Sequence, residues 1–197
     1  MPFEHIRYDE DSKFTHLASG STISLKRQLT NGKLFLQLTL DPSGEEIADA
    51  RVSSRFDKFL YKKKELPYHL LPYDFKCHYV VELILTDELC QFTHLGSLLM
   101  FVIVCEVQVN GADYLYLASP FRTSMGFFTQ YGFFPAPENV TYKNHLVQRS
   151  KRHFWQPSPL ISLQQAIEMR KKYRIWRGNV NSVHGLLMAK ITKYFSL

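Results

Sequence analysis

The 197-residue chain has few cysteines, no long apolar run and none of the short motifs that announce common hydrolytic or nucleotide chemistries. Its three cysteines, Cys77, Cys90 and Cys105, are an odd count at wide spacings in apolar surroundings. That pattern makes neither a disulfide framework nor a zinc site and fits a reducing compartment. The longest apolar run, Leu98 to Cys105, ends at Glu106, far short of the ~20 residues that a membrane-spanning helix needs. The opening stretch MPFEHIRYDEDSK mixes acids and bases, unlike a secretory leader. The expectation is a soluble, cytoplasmic protein. H-x-E, C-x-x-C, G-x-S-x-G and G-x-x-x-x-G-K-S/T are all missing from the sequence, so zinc, serine-hydrolase and P-loop chemistry have no footing.

What is present is 45% apolar and 14% aromatic content, enough for one substantial core at this length. The formal net charge of +6 is uneven, with Arg149, Lys151, Arg152, Arg170, Lys171, Lys172, Arg174, Arg177, Lys190 and Lys193 in the last quarter. Such clustering suits a polyanionic partner, whether nucleic acid, an anionic membrane face or a phosphorylated cofactor, or else a solvated basic face on helices.

The first twenty residues read as polar and irregular. STISLKRQL, the alternating KLFLQLTL from Lys33 to Leu40, the turn Asp41 to Gly44 and EEIADARVSS then predict antiparallel strands. RFDKFLYKKKELPYHLLPYD suggests a short helix and a proline-punctuated loop. CHYVVELILTD, Cys77 to Asp87, is a nearly continuous apolar and β-branched run, expected as a central strand covered on both faces. Ser97 to Val109 supports two readings. Its valines and isoleucine suit a strand paired through Asn110-Gly111 to ADYLYLAS, but its length and all-round apolarity favour a buried helix capped by Gly111. With the helix, ADYLYLAS becomes a strand parallel to the one before the loop. FRTSMGFFTQYG follows as a short helix ended by Gly132, then FFPAP extended and TYKNHLVQRS as a last strand. PLISLQQAIEMRKKYRIW and VNSVHGLLMAKITKYF read as helices.

The order of strand, anion-type loop, apolar helix, strand and aromatic Gly-Phe corner resembles the GNAT superfamily of acyl-CoA-dependent N-acyltransferases. The loop pattern Q/R-x-x-G-x-G/A is met by Gln91, Gly96, Ser97, Leu98 and Leu99, with His94 at the first glycine position; the later pattern is met by FFTQYGF, Phe127 to Phe133. The resemblance implies an α/β (α+β) fold, a mixed and mostly antiparallel central sheet flanked by helices. It divides the chain into an acyltransferase domain over residues 1–152 and a basic helical C-terminal extension over 153–197. It further implies acetyl-CoA or another acyl-CoA as co-substrate, no metal, and transfer of a short acyl group to an amine. The alternative is a lapsed scaffold that binds nucleic acid or another polyanion through its C-terminal helices.

A loop running into a helix N-terminus presents several N–H donors to a diphosphate without a charged side chain. Gln91, Phe92, Thr93, His94, Leu95, Gly96, Ser97 and Leu98 are therefore the expected cradle, with Leu85, Ser119 and Phe128 along the cofactor. His94 must either take up a glycine-like conformation or offer its imidazole to the phosphates, or it is an exposed loop histidine. Amine attack on a thioester needs a base, and Glu82 on the central strand resembles the family's glutamate, with Asp87 or Glu88 as substitutes. The family's acid position holds Phe128, which has no proton to give, so Tyr131 or Ser119 is the candidate donor.

Overall fold

The computed structural model describes residues 3–54, 79–87, 90–118, 120–136, 161–173 and 175–197. Its strands form one nine-stranded sheet, numbered along the chain as β1 Lys13–His16, β2 Thr22–Thr30, β3 Lys33–Leu40, β4 Glu45–Ser53, β5 Tyr79–Thr86, β6 Tyr114–Ala118, β7 Phe134–Pro135, β8 Ile175–Asn179 and β9 Phe195–Ser196. The helices are α1 Leu95–Val109, α2 Met125–Thr129, α3 Leu163–Lys172 and α4 Val180–Ile191. Across the sheet the order is β7-β8-β6-β5-β4-β3-β2-β1-β9. Only β5 and β6 run parallel; the other neighbours are antiparallel. The mixed, mostly antiparallel α/β architecture read from the sequence is the one observed.

Period-two alternation sets which face of the meander is buried. In β3, Leu34, Leu36 and Leu38 are at most 1% exposed, whereas Lys33, Phe35 and Gln37 point the other way and stay half-buried. A one-residue slip would exchange these two sets, so burial fixes the register. The β2–β3 link is the two-residue turn Asn31-Gly32, both at positive φ (52° and 72°), a geometry whose twist matches the strands it joins.

Helix α1 settles the ambiguous run in favour of helix. It is buried almost all round, from Leu98 to Cys105 at 0% exposure, between the sheet and α4. A helix with no polar stripe needs apolar cover on every side, which β4, β5 and α4 supply. Its C-terminus closes on Gly111 (φ 75°): Gly111 N–H donates to Gln108 O and Ala112 N–H to Val107 O, both at 3.0 Å. That pair of bonds is the Schellman arrangement, which requires a left-handed residue there. The buried Glu106 carboxylate accepts from the backbone N–H groups of Arg7 (3.3 Å) and Tyr8 (3.0 Å), tying the N-terminal arm to the helix.

Several expectations need correcting. The helix read over PLISLQQAIEMRKKYRIW stops at Lys172, and Ile175–Asn179 is strand β8, inserted between β6 and β7. Trp176 is fully buried there, its Nε1 donating to Tyr173 O at 3.1 Å. The residues after 161 therefore add a strand near one edge of the sheet, and β9 pairs with β1 at the other. The opening twenty residues, read as irregular, contain β1, a four-residue strand whose pairing with β2 and β9 outweighs its lack of pattern. β5 is central, but only Tyr79, Val80 and Val81 are covered; from Glu82 onward exposure rises, and Leu85 is 52% exposed. The segments read as a helix and loop over 55–74 and as a strand over TYKNHLVQRS lie outside the described residues.

Among the described residues, the basic side chains of the last quarter do not form one patch. Arg177 is 5% exposed in β8, its guanidinium 4.1 Å from the Tyr114 ring centroid. Lys171 pairs with Glu168 at 2.9 Å on α3, Arg170 Nε donates to Pro120 O, and Lys190 on α4 turns toward α2.

Candidate active site

Parallel pairing between β5 and β6 lasts for three residue pairs, Tyr79↔Leu115, Val80↔Tyr116 and Val81↔Leu117. The register of β5 on β4 shifts at the same point, with Val52 opposite Val81 but Arg51 opposite Leu83, so Glu82 is the extra residue of a bulge. A bulge bends its strand and increases the local twist. Here the β5–β6 pairing ends while β5 runs on, and the unpaired length of β5 marks one wall of a candidate cleft. Among the described residues, β5 from Glu82 to Thr86 has no strand partner on its β6 side.

This cleft opens onto the start of α1. A Cβ built on Gly96 would lie 3.7 Å from Thr86 Cγ2 at the end of β5 and 3.6 Å from Phe127 Cε2 on α2. Among the described residues no side chain caps the helix, and its ladder begins with Leu98 N–H donating to His94 O at 3.0 Å. The amides of Leu95, Gly96 and Ser97 thus precede the ladder, and the partial positive charge of the helix end collects on them. The Leu98 amide, expected in the cradle, is inside the ladder instead.

His94 takes the left-handed conformation (φ 67°, ψ 15°) that a glycine would adopt at no cost. For a side-chain-bearing residue that conformation costs about 1 kcal/mol. Its ring lies against Tyr194, centroids 3.9 Å apart, a contact that holds the residue in place. Burial lowers the His94 pKa below its usual 6.5, and the nearby charges of Lys190 and His16 push it the same way.

The other expected residues divide into two sets. Gln91 and Thr93 are exposed, and Gly96 is half-buried at the helix start. Phe92, Leu95 and Leu98 are core side chains, with exposures of 7%, 2% and 0%, so only their main chain can face a ligand. Phe92 is set edge-on to His16 at 5.3 Å. Phe128 is 8% exposed and packs edge-on to Phe127 and Phe133. Tyr131 is 2% exposed, and its hydroxyl lies 2.7 Å from Ser97 Oγ in a buried hydrogen bond that ties α2 to the first turn of α1. Ser119 and Glu88 lie outside the described residues, and Asp87 is exposed at the end of β5.

Glu82 stands at the apex of the cleft with its side chain 7% exposed. Lys33 Nζ is 3.0 Å from each carboxylate oxygen and donates its hydrogen bond to Oε2. Arg51 Nη1 is 3.9 Å from Oε2, and Oε1 receives no hydrogen bond among the described residues. Oε1 thus keeps lone pairs free for a further donor although the Lys33 ammonium is close by.

Sequence reading named Phe127 among the aromatics that could line the cofactor channel, but it missed Lys33, Arg51, Lys190 and Tyr194 as neighbours of this site. Phe127, not Phe128, is the ring beside the helix start. Lys190 comes from α4 to bond Gln130 Oε1 at 3.2 Å, with its ammonium 5.6 Å from the Tyr131 ring centroid. Tyr194 backs His94, and Arg51 joins Lys33 around Glu82. Alternation along β3 and β4 marks Lys33 and Arg51 as sharing a sheet face, the one signal that could have found them. Among the described residues, no group of three or more His, Cys, Asp or Glu could hold a metal ion, and no helix is long and apolar enough to cross a membrane.

No family model and no curated protein matches the chain. Solved structures similar to it include a GNAT-family acetyltransferase from Staphylococcus aureus Mu50, at 12% identity and TM-score 0.41, covering 76% of this chain and 68% of that one. A putative acyl-CoA N-acyltransferase from Klebsiella pneumoniae subsp. pneumoniae MGH 78578 shares 12% identity at TM-score 0.43, over 78% of this chain and 77% of its own. A putative streptothricin acetyltransferase from Bacillus anthracis str. Ames, in complex with acetyl coenzyme A, shares 9% identity at TM-score 0.43, over 89% and 91%.

Proposed function

We propose that the chain is an acyl-CoA-dependent N-acyltransferase of GNAT type. The observation that carries this reading is the parting of β5 from β6 after Val81 and Leu117, in a cleft that leads directly to the uncapped start of α1. The two ends of that cleft match the two ends of an acyl-CoA. At the helix, the Leu95, Gly96 and Ser97 amides face a diphosphate, which the helix end favours electrostatically. Between the strands, an extended arm containing amides can hydrogen-bond to the open edge of β5 as an added strand does. The thioester then reaches the bulge at Glu82.

There, the amine nitrogen attacks the thioester carbonyl carbon, the new C–N bond forms and the C–S bond breaks. Glu82 Oε1 takes the proton that the amine loses, directly or through a water, and the departing thiolate is protonated from solvent. Tyr131 is withdrawn from the acid role by its bond to Ser97, and Phe128 has no proton to give. Holding the amine and thioester together at the apex supplies the orientational part of the catalysis.

Calorimetry with CoA and acetyl-CoA tests the reading, followed by thiol release from acetyl-CoA over a panel of amines. Binding in the micromolar range and amine-dependent thiol release are expected; no heat of binding at millimolar ligand sinks the proposal.

A further inference from the structure

The sheet face at the cleft apex carries a guanidinium that the acyl-transfer steps do not use. Arg51 of β4 is opposite Phe35 of β3, and its guanidinium lies over that ring, 5.0 Å from the centroid. At 3.9 Å, its Nη1 is beyond hydrogen-bonding reach of Glu82 Oε2. Its Nε is buried with no hydrogen-bond partner among the described residues. Lys33 differs, since it is already engaged with the Glu82 carboxylate at 3.0 Å. The Arg51 fork therefore lies over Phe35 with no hydrogen bond filling it among the described residues, while its side chain remains 41% exposed and within reach of a ligand.

Charge and geometry narrow the ligand. Two cations, Lys33 and Arg51, stand around one close carboxylate, Glu82. Asp49 faces Arg51 from further along β4, with its acidity weakened first by burial and then by Glu46, against the pull of Arg51. With Asp49 as a second acid near the two cations, the apex carries little surplus positive charge, and a dianionic phosphate would be set against both carboxylates far more than a monoanion would. A planar carboxylate also matches the planar fork in a two-bonded pairing. Arg51 and Glu82 are within 3.9 Å of each other, so a carboxylate on the one places a nitrogen one carbon away beside the other.

We propose that Arg51, steadied on Phe35, binds the carboxylate of the acceptor, and that the acceptor is an α-amino acid whose amine is thereby set beside Glu82. This rests on the acyltransferase reading above and adds to it the class of amine.

The test compares thiol release from acetyl-CoA with each standard amino acid, its carboxamide and its decarboxylated amine, using wild-type protein, Arg51→Gln and Arg51→Lys. At least one amino acid is expected to be acylated with a KM about tenfold or more below that of its carboxamide, the scale of a charged two-bonded contact. R51Q should remove that preference, raising the amino-acid KM about tenfold more than the carboxamide KM. R51K, which keeps the charge and loses the fork, should fall between them and serves if R51Q does not fold. Equal or better use of carboxamides or simple amines overturns the proposal, as does an R51Q effect that is the same for both. So does a protein that binds CoA by calorimetry and acylates no amino acid. Absence of CoA binding instead removes the parent reading, and the two failures are thereby told apart.

Discussion

The two ends of helix α1 are finished in opposite ways. At its C-terminus, Gly111 supplies the left-handed residue, two backbone bonds close the last turn, and Asn110 and Glu106 fasten the N-terminal arm to it. At its N-terminus a left-handed residue is again present, but it is His94, with a side chain to strain, and among the described residues no side chain caps the amides that follow. A helix buried along its whole length loses stability wherever its end groups go unpaired. One end is completed by the protein itself; under the proposed function, a diphosphate completes the other.

The largest expected effect separates these ends by function. Gly96→Glu should weaken CoA binding by at least about a hundredfold, ~2.7 kcal/mol, by placing a carboxylate where the diphosphate sits. Its stability should change little, because a Cβ there makes ordinary contacts of 3.6 Å or more and an acid suits a helix start. Gly111→Ala should do the reverse, lowering stability by about 1 kcal/mol at its positive φ while CoA titrates as before. Chemical denaturation and calorimetry on both variants decide the matter; equal effects on binding would erase the contrast.

Next in size is the bond that braces the open end. Ser97→Ala and Tyr131→Phe should each cost about 1 kcal/mol in thermal or denaturant unfolding, and the double variant should cost less than their sum. If Tyr131 were the proton donor, Y131F alone would lose activity far beyond S97A. Matching losses in the two are the expected result.

Lys190→Met should weaken CoA binding about fivefold at low salt and less at high salt, as a half-exposed charge near the diphosphate requires. The smallest effect is the pH response of His94. Its folded pKa lies below the 6.5 of the free side chain, so the unfolded chain takes up the proton more readily. Its contribution to stability is accordingly intact above pH 6.5 and is lost as pH falls through the lowered value. A bound diphosphate reverses the sign for the ligand: it favours the imidazolium, so CoA should bind more tightly as pH falls from about 8 to about 6. Asparagine tolerates the left-handed region, so His94→Asn should flatten both profiles in calorimetry and in thermal melts.

Much of this contrast was legible in the sequence, for physical reasons that differ along the chain. The strands β2 to β4 could be read because alternate residues face core and solvent, and Gly111 because a helix of that length ends where a left-handed residue allows. The start of that helix was placed at Ser97 from residue types at fixed spacing, whereas it begins two residues earlier, at Leu95. Strand β8 was not legible, because MRKKYRIW keeps apolar residues at intervals that also suit a helix, and its pairing partner β6 lies some sixty residues earlier. Nor was the bulge at Glu82, which depends on the register of β5 against β4. The company of Glu82 escaped for the same reason, since Lys33 and Arg51 are brought to it by strand pairing across a large sequence distance.

Helix α4 leaves β8 near one margin of the sheet and delivers β9 to the opposite margin, so one short length of chain straps the whole width of the sheet. Lys190 and Tyr194 are carried on that strap, and both bear on the surroundings of His94. Removing residues 192–197 would therefore slacken the turn before α1 from behind without touching any residue of its own sequence, and under the proposed function a tail deletion should be felt first as a loss of grip on CoA.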